Sequence, residues 1–218
     1  MKKQISVIFI ITCFYVPVSY GQVKWQVRSS FDDNFDGWSG ECSGFFEHSF
    51  SDTEHTGFIM FSDESGVTGD GFIVAPESYL GDWSDLDGIG ELSWEHKIFQ
   101  AGGGPVILRP HVMISGPGGR AVIRPLEKMR PYWRSFSVPI DRDAWTVTSG
   151  TWSQLISNVT ELKIRIEAAH NDFSPLDING IDSIVLGAEK RLRFDFDKNG
   201  TVDFADFTYF ASEWLKSE

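Results

Sequence analysis

Cysteine is nearly missing from this sequence. There are two in 218 residues, and only Cys42 lies beyond the N-terminal apolar run. A disulfide framework is therefore excluded, and the fold must rest on a hydrophobic core, with Cys42 a small buried or half-buried residue. Basic residues are scarce too: 19 Lys and Arg stand against 31 Asp and Glu, a formal net charge of -12. That balance argues against nucleic acid as a partner, because phosphate binding needs clustered Lys and Arg. After residue 18 no apolar run is long enough to cross a bilayer, so no membrane span is expected in the mature chain.

Catalytic signals are equally thin. The five histidines, His48, His55, His96, His111 and His170, show no metal-ligand spacing, and there is no serine elbow or reactive cysteine setting. Carboxylate pairs for glycoside hydrolysis could be drawn from Glu91, Glu95, Asp141 and Glu167, but any acidic β protein offers such pairs. The expectation is a protein that binds rather than turns over.

What is present begins with Lys2 and Lys3, an apolar stretch from Ile5 to Val18, and small residues at Ser19 and Gly21. This order is that of a secretory signal peptide over residues 1–21, which places the protein outside the cell, at its surface or in a periplasm. Its removal takes two lysines and moves the net charge to about -14. Roughly two hundred remaining residues can bury one core with a short appendage to spare.

From Trp25 to Gly187 short apolar runs alternate with turn residues. Segments 58–61, 71–75, 92–99, 106–114, 133–138, 162–168 and 180–186 are rich in β-branched and aromatic residues and read as strands. Leu92, Trp94 and Ile98 share one face of a strand, and Glu95 and Lys97 the other. The turns 102–105 and 116–119 bracket the 106–114 strand and predict antiparallel neighbours. One short helix is expected at 151–157, capped by Thr151 and burying Trp152, Leu155 and Ile156. Many evenly spaced strands with almost no helix indicate a mainly β chain, a jelly-roll β-sandwich over residues 22–187.

Residues 188–193 form a charged linker, and residues 194–218 carry a different signal. Asp195, Asp197, Asn199, Thr201, Asp203 and Asp206 stand at loop positions 1, 3, 5, 7, 9 and 12, with Gly200 at position 6, where such a loop turns sharply. Alternate residues of a tight loop point inward, and Ca2+ takes six to eight oxygens, so this set predicts calcium. An amphipathic helix, residues 204–215, follows.

The loop and helix at residues 194–215 resemble a type I dockerin repeat. Dockerins carry two repeats and one is visible here; the resemblance implies calcium and, in its complete form, a cohesin-like partner. Gly71-Phe-Ile-Val-Ala-Pro-Glu-Ser-Tyr-Leu-Gly-Asp82, Gly90-Glu-Leu-Ser-Trp94, Trp152-x-x-Leu155, Leu162-Lys-Ile-Arg165 and Gly180-Ile-Asp182 look like a laminin B domain, also called laminin domain IV. That resemblance implies a non-enzymatic extracellular jelly roll similar in form to carbohydrate-binding modules. The flanking segments 30–38 and 180–184 also resemble the paired terminal strands of such modules, which implies a second calcium near Asp32, Asp33 and Asp182. For a carbohydrate ligand the candidate stacking residues are Trp83, Tyr132 and Trp133, which lie beside turns or acids.

Together these features predict a secreted, non-catalytic protein. Its sandwich would bind polysaccharide or a cell-surface glycan, and its tail would bind calcium. Two alternatives stay open: a small polysaccharide-active hydrolase or lyase with the same tail, and a structural component of a matrix or cell surface.

Overall fold

Leu92, Trp94, His96 and Ile98 point into the protein while Glu91, Ser93, Glu95 and Lys97 face outward, so the alternation read from the sequence is that of a real strand. In the computed structural model, which describes residues 26–42, 44–50, 52–62, 71–101, 109–165, 167, 177–188 and 207–208, this strand is Gly90–Gln100. In chain order the described strands are β1 (Gln26–Ser29), β2 (Ser39–Glu41), β3 (Phe46–Ser49), β4 (Phe58–Ser62), β5 (Phe72–Val74) and β6 (Gly90–Gln100). Then follow β7 (His111–Gly116), β8 (Gly119–Ile123), β9 (Arg134–Ile140), β10 (Thr146–Gly150), β11 (Glu161–Arg165) and β12 (Ile178–Gly187), with one helix, α1 (Trp152–Ile156), before β11.

Two sheets result, with every described pairing between strands antiparallel. Sheet one runs β3-β4-β12-β6-β9 with β1 joined to β12, and sheet two runs β10-β8-β7-β11-β5-β2. Their inner faces share one core: Leu92, Trp94, Phe136 and Val138 from the first meet Val112, Ile114, Leu162 and Ile164 from the second. The chain is mainly β, two antiparallel sheets packed as a jelly-roll sandwich, as the sequence predicts. The 116–119 turn joins β7 to β8 as an antiparallel pair, as expected, but the strand before the 102–105 turn, β6, lies in sheet one, and the other neighbour of β7 is β11. Helix α1 buries Trp152, Leu155 and Ile156. Thr151 precedes it without a side-chain cap; its hydroxyl lies 2.9 Å from the Gln154 amide oxygen instead, which leaves the helix N–H groups without that acceptor.

The central strand β12 carries the feature that shapes the site. Asp182 pairs with Glu95 and Val185 with Ser93, so two residues of β12 oppose one of β6, and Ser183 takes a φ of 53°. This bulge shifts the side-chain phase. Before it Asn179 and Ile181 point inward; after it Ile184 and Leu186 do. The same point divides β12 between partners: Ile178–Ile181 pair with β4, and Ile184–Gly187 with β1.

A buried polar knot locks β1 to the rest. The Tyr79 hydroxyl donates to the Ile184 carbonyl at 2.8 Å and lies 3.0 Å from Ser29 Oγ, which accepts the Trp38 indole N–H at 3.0 Å. Burial pushes the Tyr79 phenol up to about 12, so it stays a donor throughout the ordinary pH range.

The signal peptide expected over residues 1–21 lies outside the described residues. So do the linker and the calcium loop Asp195–Asp206; of the expected tail helix, Phe207 and Thr208 are described, and both are helical.

Candidate functional site

The two outer faces of the sandwich differ in chemistry. On sheet two, strand register sets three rows of side chains across the strands, each about 4.8 Å from the next strand. The middle row is Val74, Lys163, Met113 and Val122, all half-buried. One flanking row is Glu41, Phe72, Arg165 and His111, and the other is Glu161, Ser115 and Arg120. Lys163 lies at the centre, with Nζ 2.9 Å from Glu41 and 2.7 Å from Glu161. Ser115 Oγ donates to Glu161 at 2.5 Å, and Arg165 pairs with Glu167 at 3.1 Å.

Partial burial works against both charges of the Lys163–Glu161 pair, yet their contacts prevail. Hydrogen bonds from Lys163 and Ser115 hold the Glu161 carboxyl below the usual carboxylate range, and Glu161 and Glu41 hold the Lys163 ammonium above its usual value. The face therefore offers an apolar strip, including the stem of Lys163, beside hydrogen-bonding groups in both flanking rows, with Phe72 extending the apolar surface on one side.

On sheet one, an aromatic cluster sits on Gly180. A β-carbon there would come within 2.6 Å of Phe99, 3.1 Å of Trp133 and 3.2 Å of Phe58, so only glycine lets the three rings close over the strand. Phe58 and Phe99 stack at 5.3 Å, and Trp133 meets both edge-on at 5.4 and 6.1 Å. Trp133 also lies against the His55 ring, with centroids 3.9 Å apart. Lys97 sits over the Phe99 ring and reaches Asp52 at 2.5 Å. Burial alone would raise the Asp52 carboxyl, but hydrogen bonds from Lys97 and the Glu54 N–H hold it below the usual range.

Next to the rings, His55 meets two carboxylates. Its Nδ1 contacts Asp182, and its Nε2 is 3.6 Å from Glu95. Asp182 is almost fully buried; that burial raises its carboxyl above the usual carboxylate range, with His55 and the Ser183 N–H opposing the shift. The loop carrying His55 is braced by Asp32, whose carboxylate accepts from Thr56 at 2.5 Å and from Ser30 at 2.7 Å. Those two bonds lower the Asp32 carboxyl from its usual value.

The residues singled out from the sequence thus separate. Trp83 is fully buried, its indole N–H donating to the Tyr79 carbonyl at 3.0 Å, so it presents no ring to a ligand. Trp133 is half-buried and has one face against His55 and edges against two phenylalanines, whereas Tyr132 is exposed. Asp32 and Asp33 do not join Asp182 in a shared ligand cluster: Asp32 is spent on Thr56 and Ser30, and Asp182 on His55 and Ser183. Among the described residues, the cluster of ligand-type side chains that contains Asp182 is formed with His55 and Glu95 rather than with Asp32 and Asp33. His55 shows no ligand spacing in the sequence because it meets Asp182 across 127 residues of chain. The phase break around Ser183, with isoleucine at 181 and again at 184, was the available signal.

Scans against protein-family models and curated protein sequences returned no match. Solved structures do match. A family 11 carbohydrate-binding module from Clostridium thermocellum, solved with a β-1,3-1,4-mixed-linked tetrasaccharide, is 15% identical over 76% of this chain and 96% of its own, with a TM-score of 0.50. The agarase AgWH50C is 11% identical over 70% of this chain and 22% of its own, also at 0.50. The L4b domain of human laminin alpha-2 is 12% identical over 66% of this chain and 84% of its own, at 0.47. The chain is a jelly-roll β-sandwich of the kind found in carbohydrate-binding modules. Among the described residues no helix is long and apolar enough to cross a membrane.

Proposed function

We propose that this protein is a secreted, non-catalytic module that binds a polysaccharide or cell-surface glycan along the outer face of sheet two. The observation that carries this reading is the row Val74–Lys163–Met113–Val122, apolar apart from the Lys163 ammonium, flanked by Glu41, Arg165 and His111 on one side and by Glu161, Ser115 and Arg120 on the other. A sugar chain has the same duality, with C–H faces that seek apolar surface and hydroxyls that need fixed donors and acceptors. The tetrasaccharide bound to the Clostridium thermocellum module of like fold supports the ligand class. Secretion rests on the N-terminal apolar run.

Isothermal titration of the full chain against a polysaccharide panel tests the reading. Lys163→Ala is expected to weaken binding of the recognised glycan roughly tenfold, the scale of one charged hydrogen bond. Retained affinity in Lys163→Ala and Arg165→Ala, with loss in Tyr132→Ala, would move the site to the other sheet. Release of reducing ends that disappears in Glu95→Gln would replace the reading by an enzyme built on the Glu95 and Asp182 carboxylates.

The calcium reading of the tail rests on ligand spacing alone. Asp195→Ala with Asp197→Ala is expected to abolish calcium binding there while leaving the sandwich folded, as read by calcium titration and circular dichroism. A collapse of the whole chain's thermal stability would instead make the tail part of the main domain.

A further inference from the structure

We propose that His55, Glu95 and Asp182 form a binding site for a divalent transition-metal ion of the zinc class, independent of the glycan face and distinct from the acidic loop of the tail. One ligand atom from each lies within 4.8 Å of the others, the distance scale over which three donors can share one ion. They come from three separate elements, the 52–57 loop, β6 and β12, so no local sequence motif announces them.

Each donor is held before any ion arrives. The His55 ring is fixed by its contact with Trp133, and its loop by the Asp32–Thr56 bond. Asp182 is aimed by the bulge at Ser183 and accepts that residue's N–H at 2.5 Å. Glu95 lies directly across the ladder from Asp182, and Ser135 Oγ donates to its other oxygen at 3.3 Å. Such supporting contacts orient metal ligands and tune their affinity.

The donor set selects the ion. Calcium and magnesium take oxygen ligands, whereas an imidazole nitrogen with two carboxylate oxygens suits zinc and its first-row neighbours. Two carboxylates balance a dication, and the nearby ammonium of Lys97 is committed to Asp52, so it does not supply that balance. Three protein ligands leave a coordination position open. The wall formed by Trp133, Phe58 and Phe99 closes one side, while Glu95, with a third of its side chain exposed, marks the open side. A water molecule or a ligand hydroxyl would complete the shell there.

The test uses the full chain carrying Asp195→Ala and Asp197→Ala, so that the tail loop does not contribute, stripped with a chelator and titrated with Zn2+ or Co2+. One equivalent should bind saturably, with Co2+ showing the ligand-field absorption of a nitrogen-containing site and with Ca2+ failing to displace it. His55→Gln and Glu95→Gln should each weaken binding about tenfold or more without changing the circular dichroism spectrum. Absence of saturable binding would overturn the proposal. So would equal affinity in both variants, or displacement by equimolar Ca2+. Should His55→Gln fail to fold, the near-isosteric Glu95→Gln, on the half-exposed face of β6, still decides the question.

Discussion

Trp83→Ala is expected to destabilise the protein by about 3–5 kcal/mol, the cost of emptying a large core site. For a domain of this size that lowers the melting midpoint by on the order of 10 °C. The ring is fully buried, its indole N–H reaches the Tyr79 carbonyl, and its backbone N–H donates to Ile156 at 2.7 Å, so it joins the 77–86 segment to α1. Truncation would empty the space between that segment and the helix and orphan the Tyr79 carbonyl, which a merely exposed tryptophan would not do. Tyr132→Ala, by contrast, should leave the melting curve within the range of an ordinary surface change, roughly 0.5 kcal/mol either way. Differential scanning calorimetry on the pair checks this. A Trp83→Ala protein that melts normally but loses glycan affinity would restore Trp83 as a ligand platform.

Acid should weaken the fold through His96. The ring is fully buried on the inner face of β6, and burial drives its pKa from the ordinary 6.5 down to about 4, with only the neighbouring Asn179 side chain opposing the fall. Between those two values the unfolded chain binds a proton that the folded chain refuses. Stability therefore declines as pH falls from about 6.5 to about 4, by on the order of 3 kcal/mol, and is unaffected by this group above that window. Urea unfolding at pH 7 and pH 4.5 should show the difference, and His96→Leu should reduce it. If the wild type and His96→Leu lost stability in parallel, other groups would be responsible.

Much of the sandwich was legible because β6, β9 and β11 alternate cleanly, as strands with one face in the core must. Strand β8 escaped although it buries Ala121 and Ile123, because it follows directly on a glycine turn and is only five residues long; others escaped because they have little to bury. Strand β2 is Ser39-Gly-Glu41, wholly exposed, and exists through its pairing with β5; β10 is an edge strand with only Val147 half-buried. The strand expected at 106–114 is described as His111–Gly116, and residues 102–108 lie outside the described range. For the site, proximity to acids was a poor guide to exposure. Trp83 sits among Asp82, Ser84 and Asp85, which face solvent while its ring turns inward through two short 3-10 turns, Glu77–Tyr79 and Ser84–Leu86. The meeting of His55, Glu95 and Asp182 depends on strand order and a one-residue bulge. Neither is written in any local window of sequence, although Asp182 itself was marked as a ligand.

The antiparallel pairing of Gln26 with Gly187 has a mechanical consequence. Whatever precedes β1 and whatever follows β12 must leave the sandwich at the same corner. The domain then hangs from a single pivot rather than lying in line between its neighbours, and tension on the two flanking segments would peel β1 from β12 bond by bond, like a zip. Resistance at that corner falls to the four-residue ladder of β1 and to the Tyr79–Ser29–Trp38 knot behind it. The outer face of sheet two, which does not include either of those strands, would keep its shape while the corner yields.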